Sequence, residues 1–500
     1  MRAADCKILE SALKTSFGLA EFRLGQRDAV SAVVSGRDAV VVMPTGSGKS
    51  LCYQLAALLL DGVTLVVSPL IALMNDQVAH LTARGIAATC INSTLSGEEI
   101  ARRLRGMAEG AYKLVYVAPE RFRSAKFRAA LRATEIALVA VDEAHCISQW
   151  GHDFRPDYLD VGKFLADIPA TRVMALTATA TPSVRADIMC QLRLGAAPRK
   201  PPFVEVLGFA RPNLHLSVRP CRSAEAKLGV LQTLVRRHRT GIVYVATRKH
   251  AVDVFDRLCR AIPKASAIQV LLYHGAMTDA QRALAEEEFR TARQVVVVAT
   301  NAFGMGIDRA DIRFVAHWDI PGGVEAYYQE IGRAGRDGKP AECVLLFNYF
   351  DVKIQEYFID GANPDVETAL ATLALMRSFG TAPFAVDTDS WAKRLGVRNG
   401  IALGTVVNVL LNRGLLSRAG EGRRLVCAMN ASATVAAVRQ VFAARREKYE
   451  RDRRRLRAMI DFAYLTTCRH RYILDYFGDQ SGARTCGGCD NCDAKAVRAA

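Results

Sequence analysis

Short apolar runs alternate with longer amphipathic stretches through residues 1–350 of this chain. Val40-Val41-Val42 leads into Met43-Pro44-Thr45-Gly46-Ser47-Gly48-Lys49-Ser50, and a helical pattern follows over 51–60. Further strand-like runs stand at 63–68, 113–118, 137–141 and 173–176. This rhythm predicts βαβ units building a parallel sheet with helices on both faces. A stretch rich in Ala, Pro, Arg and Lys at 192–202 reads as a linker. A second block then has strands at 241–246, 270–273, 295–299, 314–318 and 343–348. The expectation is α/β, with two lobes at 1–202 and 203–350.

Past residue 350 the pattern turns helical. Helices at 365–379, 389–395 and 401–412 and a hairpin at 415–418 and 423–428, turning on Gly420-Glu421-Gly422, have the order of a winged helix. Such a unit reads DNA or serves as a structural or protein-binding module. It is expected within 351–430, with a last unit at 431–500. A long basic helix is predicted over 441–466, carrying Arg445, Arg446, Lys448, Arg451, Arg453, Arg454, Arg455 and Arg457. It is a solvated face or a surface that tracks phosphates. No run is apolar and long enough for a membrane span, and the N-terminus lacks a signal-peptide pattern. A cytoplasmic protein is expected, nucleoid-associated if bacterial, with no membrane partner.

The candidate chemistry starts at the glycine turn after residue 42. Backbone N–H groups there and the helix N-terminus form a concavity for phosphate. Thr45, Gly46, Ser47 and Gly48 build it, Lys49 reaches the β- and γ-phosphates, and Ser50 holds Mg²⁺. A strict phosphate loop has glycine where Met43 stands. Asp142 and Glu143 close a strand about ninety residues later; Asp142 can hold Mg²⁺ and Glu143 can polarise the attacking water. Gln329, Arg333 and Arg336 lie in Gln329-Glu330-Ile331-Gly332-Arg333-Ala334-Gly335-Arg336. A spacing of three puts both arginines on one helix face, from which they can neutralise charge on the γ-phosphate. Ser148-Gln149-Trp150-Gly151-His152-Asp153-Phe154-Arg155 follows the acidic pair. Trp150, His152, Phe154 and Arg155 suit base stacking and phosphate contact; the other reading is an aromatic plug in the core.

Lys+Arg exceed Asp+Glu by 67 − 50 = 17, which favours a polyanionic partner. Four of the thirteen cysteines, Cys468, Cys486, Cys489 and Cys492, have the spacing of a closed metal site. Structural Zn²⁺ is expected, with an iron–sulfur cluster as the alternative.

With these motifs in hand the chain resembles the RecQ-type DNA helicases of superfamily 2. The resemblance covers 17–350 and 456–493. It rests on the phosphate loop, Ser68-Pro69-Leu70-Ile71-Ala72-Leu73-Met74, the Asp-Glu-Ala-His box, the aromatic loop, Leu176-Thr177-Ala178-Thr179-Ala180, Ala299-Thr300-Asn301-Ala302-Phe303-Gly304-Met305-Gly306-Ile307-Asp308 and the double-arginine motif. It implies two RecA-like lobes, a helical zinc-binding module, and ATP-driven 3′→5′ unwinding of duplex DNA in repair, recombination and replication, with single-stranded and forked duplex DNA as partners. A single-strand-binding protein is a conceivable partner. Phe22-Arg23-Leu24-Gly25-Gln26 resembles the motif that reads adenine, through Arg23 and Gln26, with Leu24 where the family has proline. Tyr273-His274-Gly275-Ala276 reverses the family's Ala-Gly order. The winged-helix-like segment precedes the zinc cysteines instead of following them, and the family's C-terminal winged helix is not expected here. Two other functions stay open: the same enzyme class acting on RNA, and a DNA-annealing scaffold switched by ATP.

Overall fold

The computed structural model describes residues 3–499 except 45, 149, 152, 154, 169–170, 197–198, 264–265, 305–308, 381, 420–424 and 482–484, with side chains from 7 to 494. The first parallel sheet holds β1 (Ala39–Val42), β2 (Val63–Val67), β3 (Ala88–Ile91), β4 (Leu114–Val117), β5 (Ile136–Val141), β6 (Arg172–Thr177) and β7 (Phe203–Val206), in the order β3-β4-β2-β5-β6-β1-β7. β1, β2 and β4 are buried at every position, because helices cover both faces and leave no polar side to alternate. The second sheet holds β8 (Leu214–Pro220), β9 (Gly241–Tyr244), β10 (Gln269–Tyr273), β11 (Val295–Ala299), β12 (Phe314–His317) and β13 (Ala341–Phe347), in the order β10-β11-β9-β12-β13-β8.

The sequence pattern divides the lobes after 202, yet β7 pairs along β1, with Val206 opposite Val42. Phe-Val-Glu-Val carries one polar position, as an edge strand tolerates. The first sheet therefore runs to Val206, and the chain crosses between sheets over 207–213.

The small unit has the expected order with one added strand. Helices Val366–Arg377, Thr388–Leu395 and Gly400–Asn412 accompany β14 (Phe384–Ala385), β15 (Leu416–Arg418) and β16 (Val426–Met429), in a sheet ordered β14-β16-β15. Helix Val435–Ala443 adds Val438 and Phe442 to the core of Trp391, Leu403 and Val407, so this unit extends beyond 430. The glycine turn at 420–422 lies outside the described residues. The predicted basic helix is broken at 444–445 into Val435–Ala443 and Arg446–Ala463. Helices Arg469–Phe477 and Asp490–Ala499 follow. Among the described residues no helix is long and apolar enough to cross a membrane.

Candidate active site

Gly46 and Gly48 have φ of 83° and 81°, where a side chain is strained. A Cβ on Gly48 would also lie 2.7 Å from Gln26 Nε2. Buried Gln26 donates from Nε2 to the carbonyls of Ser47 at 3.0 Å and Gly48 at 3.1 Å. Arg23 Nη1 donates to the Gly46 carbonyl at 2.7 Å. The loop is thus pinned by the two residues expected beside it. Lys49 opens helix Lys49–Leu59 and donates from Nζ to the carbonyls of Met43 at 3.0 Å and Pro44 at 3.2 Å. Burial pushes its pKa down, against the pull of Glu143 and Asp142. Ser50 occupies the first turn of the same helix. Thr45 lies outside the described residues.

β5 delivers Asp142 and Glu143 to the same end of the sheet. Burial, and then the charge of Glu143, push the Asp142 carboxyl up to about 7. Asp142 Oδ1 accepts from the Glu143 N–H at 3.0 Å, and Tyr158 donates to the Asp142 carbonyl at 3.1 Å. Glu143 sits at φ 47°, ψ 46°, a left-handed conformation that a residue with a Cβ adopts at a cost. His145 Nδ1 lies 3.3 Å from Glu143 Oε2 and 2.9 Å from Thr177 Oγ1. Thr177 Oγ1 accepts from the Thr179 N–H at 3.2 Å. The acidic box and the Thr-Ala-Thr segment are therefore one hydrogen-bonded unit.

The two arginines do not share a helix face. Helix Val324–Ile331, which carries Gln329, ends before them, and Gly335 at φ 56° turns the chain between them. Arg333 is buried and donates to the Gly304 carbonyl within its own lobe. Arg336 reaches across to the other lobe, its Cγ 3.4 Å from where a Cβ on Gly46 would stand. Spacing of three implies a common face only while the helix lasts.

Between the lobes lies a cleft of about 720 Å³, lined in part by Asp153, Arg155, Gln329, Arg333 and Arg455. Arg155 donates from Nη1 to the Pro69 carbonyl at 3.3 Å and from Nη2 to Asp153 at 3.0 Å, tying the aromatic loop to the Ser68-Pro69-Leu70 segment. The Arg451 guanidinium stacks on the Trp150 ring at 4.5 Å, and Arg455 donates to the Trp150 carbonyl. His152 and Phe154 lie outside the described residues. Arg451 and Arg455 reach Trp150 across some 300 residues of sequence, so no local signal marks the contact.

Several of the basic helix's cations bond within the protein. Arg445 donates to the Ala362 carbonyl at 3.0 Å, Lys448 pairs with Asp452 at 2.6 Å and Arg453 with Glu356 at 2.9 Å. The third helix of the small unit is also engaged. Thr405 donates to the Gly361 carbonyl at 2.8 Å, and Asn399 to the Tyr357 carbonyl at 2.6 Å, both on helix Val352–Ala362. One flank of its first turns, the part of a recognition helix that enters a DNA groove, packs on that helix, while Ile401 stays exposed.

The sulfurs of Cys468, Cys486, Cys489 and Cys492 all lie within 4.8 Å of one another, and those of Cys486 and Cys492 are 3.8 Å apart. Metal–sulfur bonds of about 2.3 Å in a tetrahedron set sulfurs roughly 3.8 Å apart, so the set fits one closed ion. The knuckle docks on the outer edge of the second sheet: Leu216 donates to the Gly488 carbonyl at 3.1 Å, and Val218 to Asp490 at 2.9 Å.

Residues 23–188 match the family model of DEAD/DEAH box helicases, 226–338 that of the helicase conserved C-terminal domain, and 429–493 that of RecQ zinc-binding domains. The chain is 38% identical over 489 residues to the ATP-dependent DNA helicase RecQ of Bacillus subtilis, spanning 97% of this chain and 66% of that one. It is 41% identical over 353 residues to the probable ATP-dependent DNA helicase RecS of the same organism, spanning 70% of this chain and 69% of that one. The chain belongs to the RecQ helicase family. It spans less than two thirds of the length of several RecQ relatives. Among solved structures, the helicase Lhr of Mycobacterium smegmatis, bound to single-stranded DNA and AMP-PNP, covers 86% of this chain and 61% of its own at 22% identity and a TM-score of 0.54, a likeness of fold. The match to the Bacillus subtilis RecQ helicase spans 97% of this chain, so it includes the small unit ahead of the knuckle as well as the cysteine site.

Proposed function

We propose that this chain is an ATP-dependent DNA helicase that hydrolyses ATP between its two lobes and moves 3′→5′ along a single strand. The observation that carries the reading is Arg336 of the second lobe lying against Gly46 of the phosphate loop in the first. Lys49 leaves the Met43 and Pro44 carbonyls to meet the β- and γ-phosphates, and Gly46, Ser47 and Gly48 cradle them, Thr45 being the further ATP-binding residue the sequence suggests. Ser50 and buried Asp142 are the oxygen donors that would hold Mg²⁺, which neutralises phosphate charge when bound. Glu143 orients and polarises the attacking water. Arg336 serves as the finger from the opposite lobe, a role worth 10³–10⁵ in rate in related chemistry. Arg333 and Gln329 shape the lobe-2 side of the cleft, and Arg23 with Gln26 read the adenine while bracing the loop. Trp150 and Arg155, with His152 and Phe154, report strand occupancy to Glu143. Cys468, Cys486, Cys489 and Cys492 hold structural Zn²⁺.

Forked duplex with a labelled strand tests this. ATP should drive displacement in the parent protein and not in Lys49→Ala, with DNA, and not RNA of the same sequence, giving the greater ATPase stimulation. ATP turnover without displacement would favour an ATP-switched scaffold; greater stimulation by RNA would reassign the substrate.

A further inference from the structure

The segment that crosses between the sheets does more than connect them. At its start, Leu207 donates to the carbonyl of Val42, the last residue of the phosphate-loop strand, at 2.9 Å. At its far end, the Arg211 guanidinium forks over the turn that follows helix Val324–Ile331. Nη1 donates to the Gly332 carbonyl at 3.4 Å, and Nη2 to the carbonyls of Ala334 at 2.9 Å and Gly335 at 3.3 Å. Asn213 donates from its amide to the carbonyls of Gly335 at 2.8 Å and Lys339 at 3.0 Å. A cation at a helix C-terminus is a common cap for orphan carbonyls. Here the capped turn carries Arg333 and Arg336.

The fit extends to the residue between those arginines. Gly335 has φ 56°, and a Cβ on it would stand 2.5 Å from the Asn213 amide nitrogen and 2.7 Å from the Lys339 carbonyl oxygen. Asn213 therefore demands glycine at 335, and Gly335 sets the direction in which Arg336 leaves the turn. The middle of the strap is also held. Phe209 stacks on Phe477 of the zinc module at 4.4 Å, and its carbonyl accepts from Tyr328 at 3.2 Å.

We propose that Arg211, braced by Asn213, is a positioning residue for Arg336: it locks the finger-bearing turn to a short strap whose other end is bonded to the phosphate-loop strand. The strap fixes the finger's height over the cradle when the lobes close, and transmits movement of one lobe to the catalytic group of the other. This rests on the reading of Arg336 as the finger. A displacement of about 1 Å at such a group can cost on the order of 100-fold in rate, which sets the expected scale.

A double-mutant cycle decides it, read by single-turnover ATP hydrolysis at saturating single-stranded DNA, with KM for ATP and thermal melting measured alongside. Arg211→Ala should lower the hydrolysis rate by one to two orders of magnitude with KM for ATP within about two-fold of the parent. In an Arg336→Ala background it should change the rate by less than about two-fold, because a finger already absent cannot be misplaced. Asn213→Ala should show a smaller loss with the same dependence on Arg336, and it decides the matter if Arg211→Ala melts early. Losses that multiply in the double variant, or a rise in KM at unchanged rate, would overturn the positioning role while leaving the finger intact. An undiminished rate in Arg336→Ala alone would remove the finger reading and this inference with it.

Discussion

Glu143 holds a backbone conformation that glycine adopts freely and glutamate does not, at a cost of roughly 1–3 kcal/mol. Its N–H bond to Asp142 and the approach of its carboxylate to His145 keep it there. The backbone turn directs the carboxylate towards His145 while Asp142 stays at the strand end. Glu143→Gly should therefore melt above Glu143→Gln, since only glycine relieves the backbone, while both bind a non-hydrolysable ATP analogue and neither hydrolyses ATP. Calorimetry of the two side by side checks this; a glycine variant no more stable than the glutamine one would mean that the conformation carries no stored cost. At this scale the sequence showed which residues converge but not how each is held. The glycine turn, the Asp-Glu pair and the four cysteines declare themselves by spacing, since phosphate, Mg²⁺ and Zn²⁺ chemistry admits few arrangements. Arg333 and Arg336 part company because their helix stops at Ile331, and a count of three residues cannot register a helix end.

At the scale of elements, a basic helix and an aromatic loop meet in a way neither pattern announces. Arg451 is largely buried, and its guanidinium covers one face of the Trp150 ring, a kind of surface on which bases can stack. An arginine–tryptophan stack of this kind is worth about 1 kcal/mol. Arg451→Ala should free the ring and lower the single-stranded DNA concentration that half-stimulates ATPase by about five-fold, while Trp150→Ala abolishes the stimulation. A rise in that concentration for Arg451→Ala would show instead that the arginine's charge holds DNA. Apolar runs exposed most strands to reading, but β3, β7, β8 and the two-residue β14 escaped. Ala-Thr-Cys-Ile in β3 is too short and mixed to stand out. β7 looks like the start of the second block, and only its pairing with β1 assigns it to the first. β8 alternates polar and apolar residues as an edge does, and what covers that edge lies about 270 residues further on.

Across the whole molecule, the cysteine module touches both lobes. It covers β8 through Leu216 and Val218, and Arg469 pairs with Asp490 at 2.6 Å to hold the knuckle helix in place. It reaches the first lobe where Arg185 donates to the Phe477 carbonyl at 3.0 Å. An uncovered β8 would present an unpaired edge, so the module both protects the second sheet and braces it against the first. Metal binding to such a site is worth on the order of 10 kcal/mol and is spent on folding the module, not on the catalytic cleft. Stripping the metal with a chelator should therefore act from the edge inward. Amide hydrogen exchange should quicken first at Leu216 and Val218, whose N–H groups bond to the knuckle. Val40 to Val42 in β1 and Val296 to Val298 in β11, which are fully buried and paired within their own sheets, should keep their protection. Lys49 and Asp142 stand in the first lobe, so nucleotide binding should outlast the loss of metal, while DNA-stimulated turnover, which needs both lobes held, should fall. If the amides of β8 stay protected once elemental analysis shows the metal gone, the knuckle is a passenger on that edge and the brace between the lobes lies elsewhere.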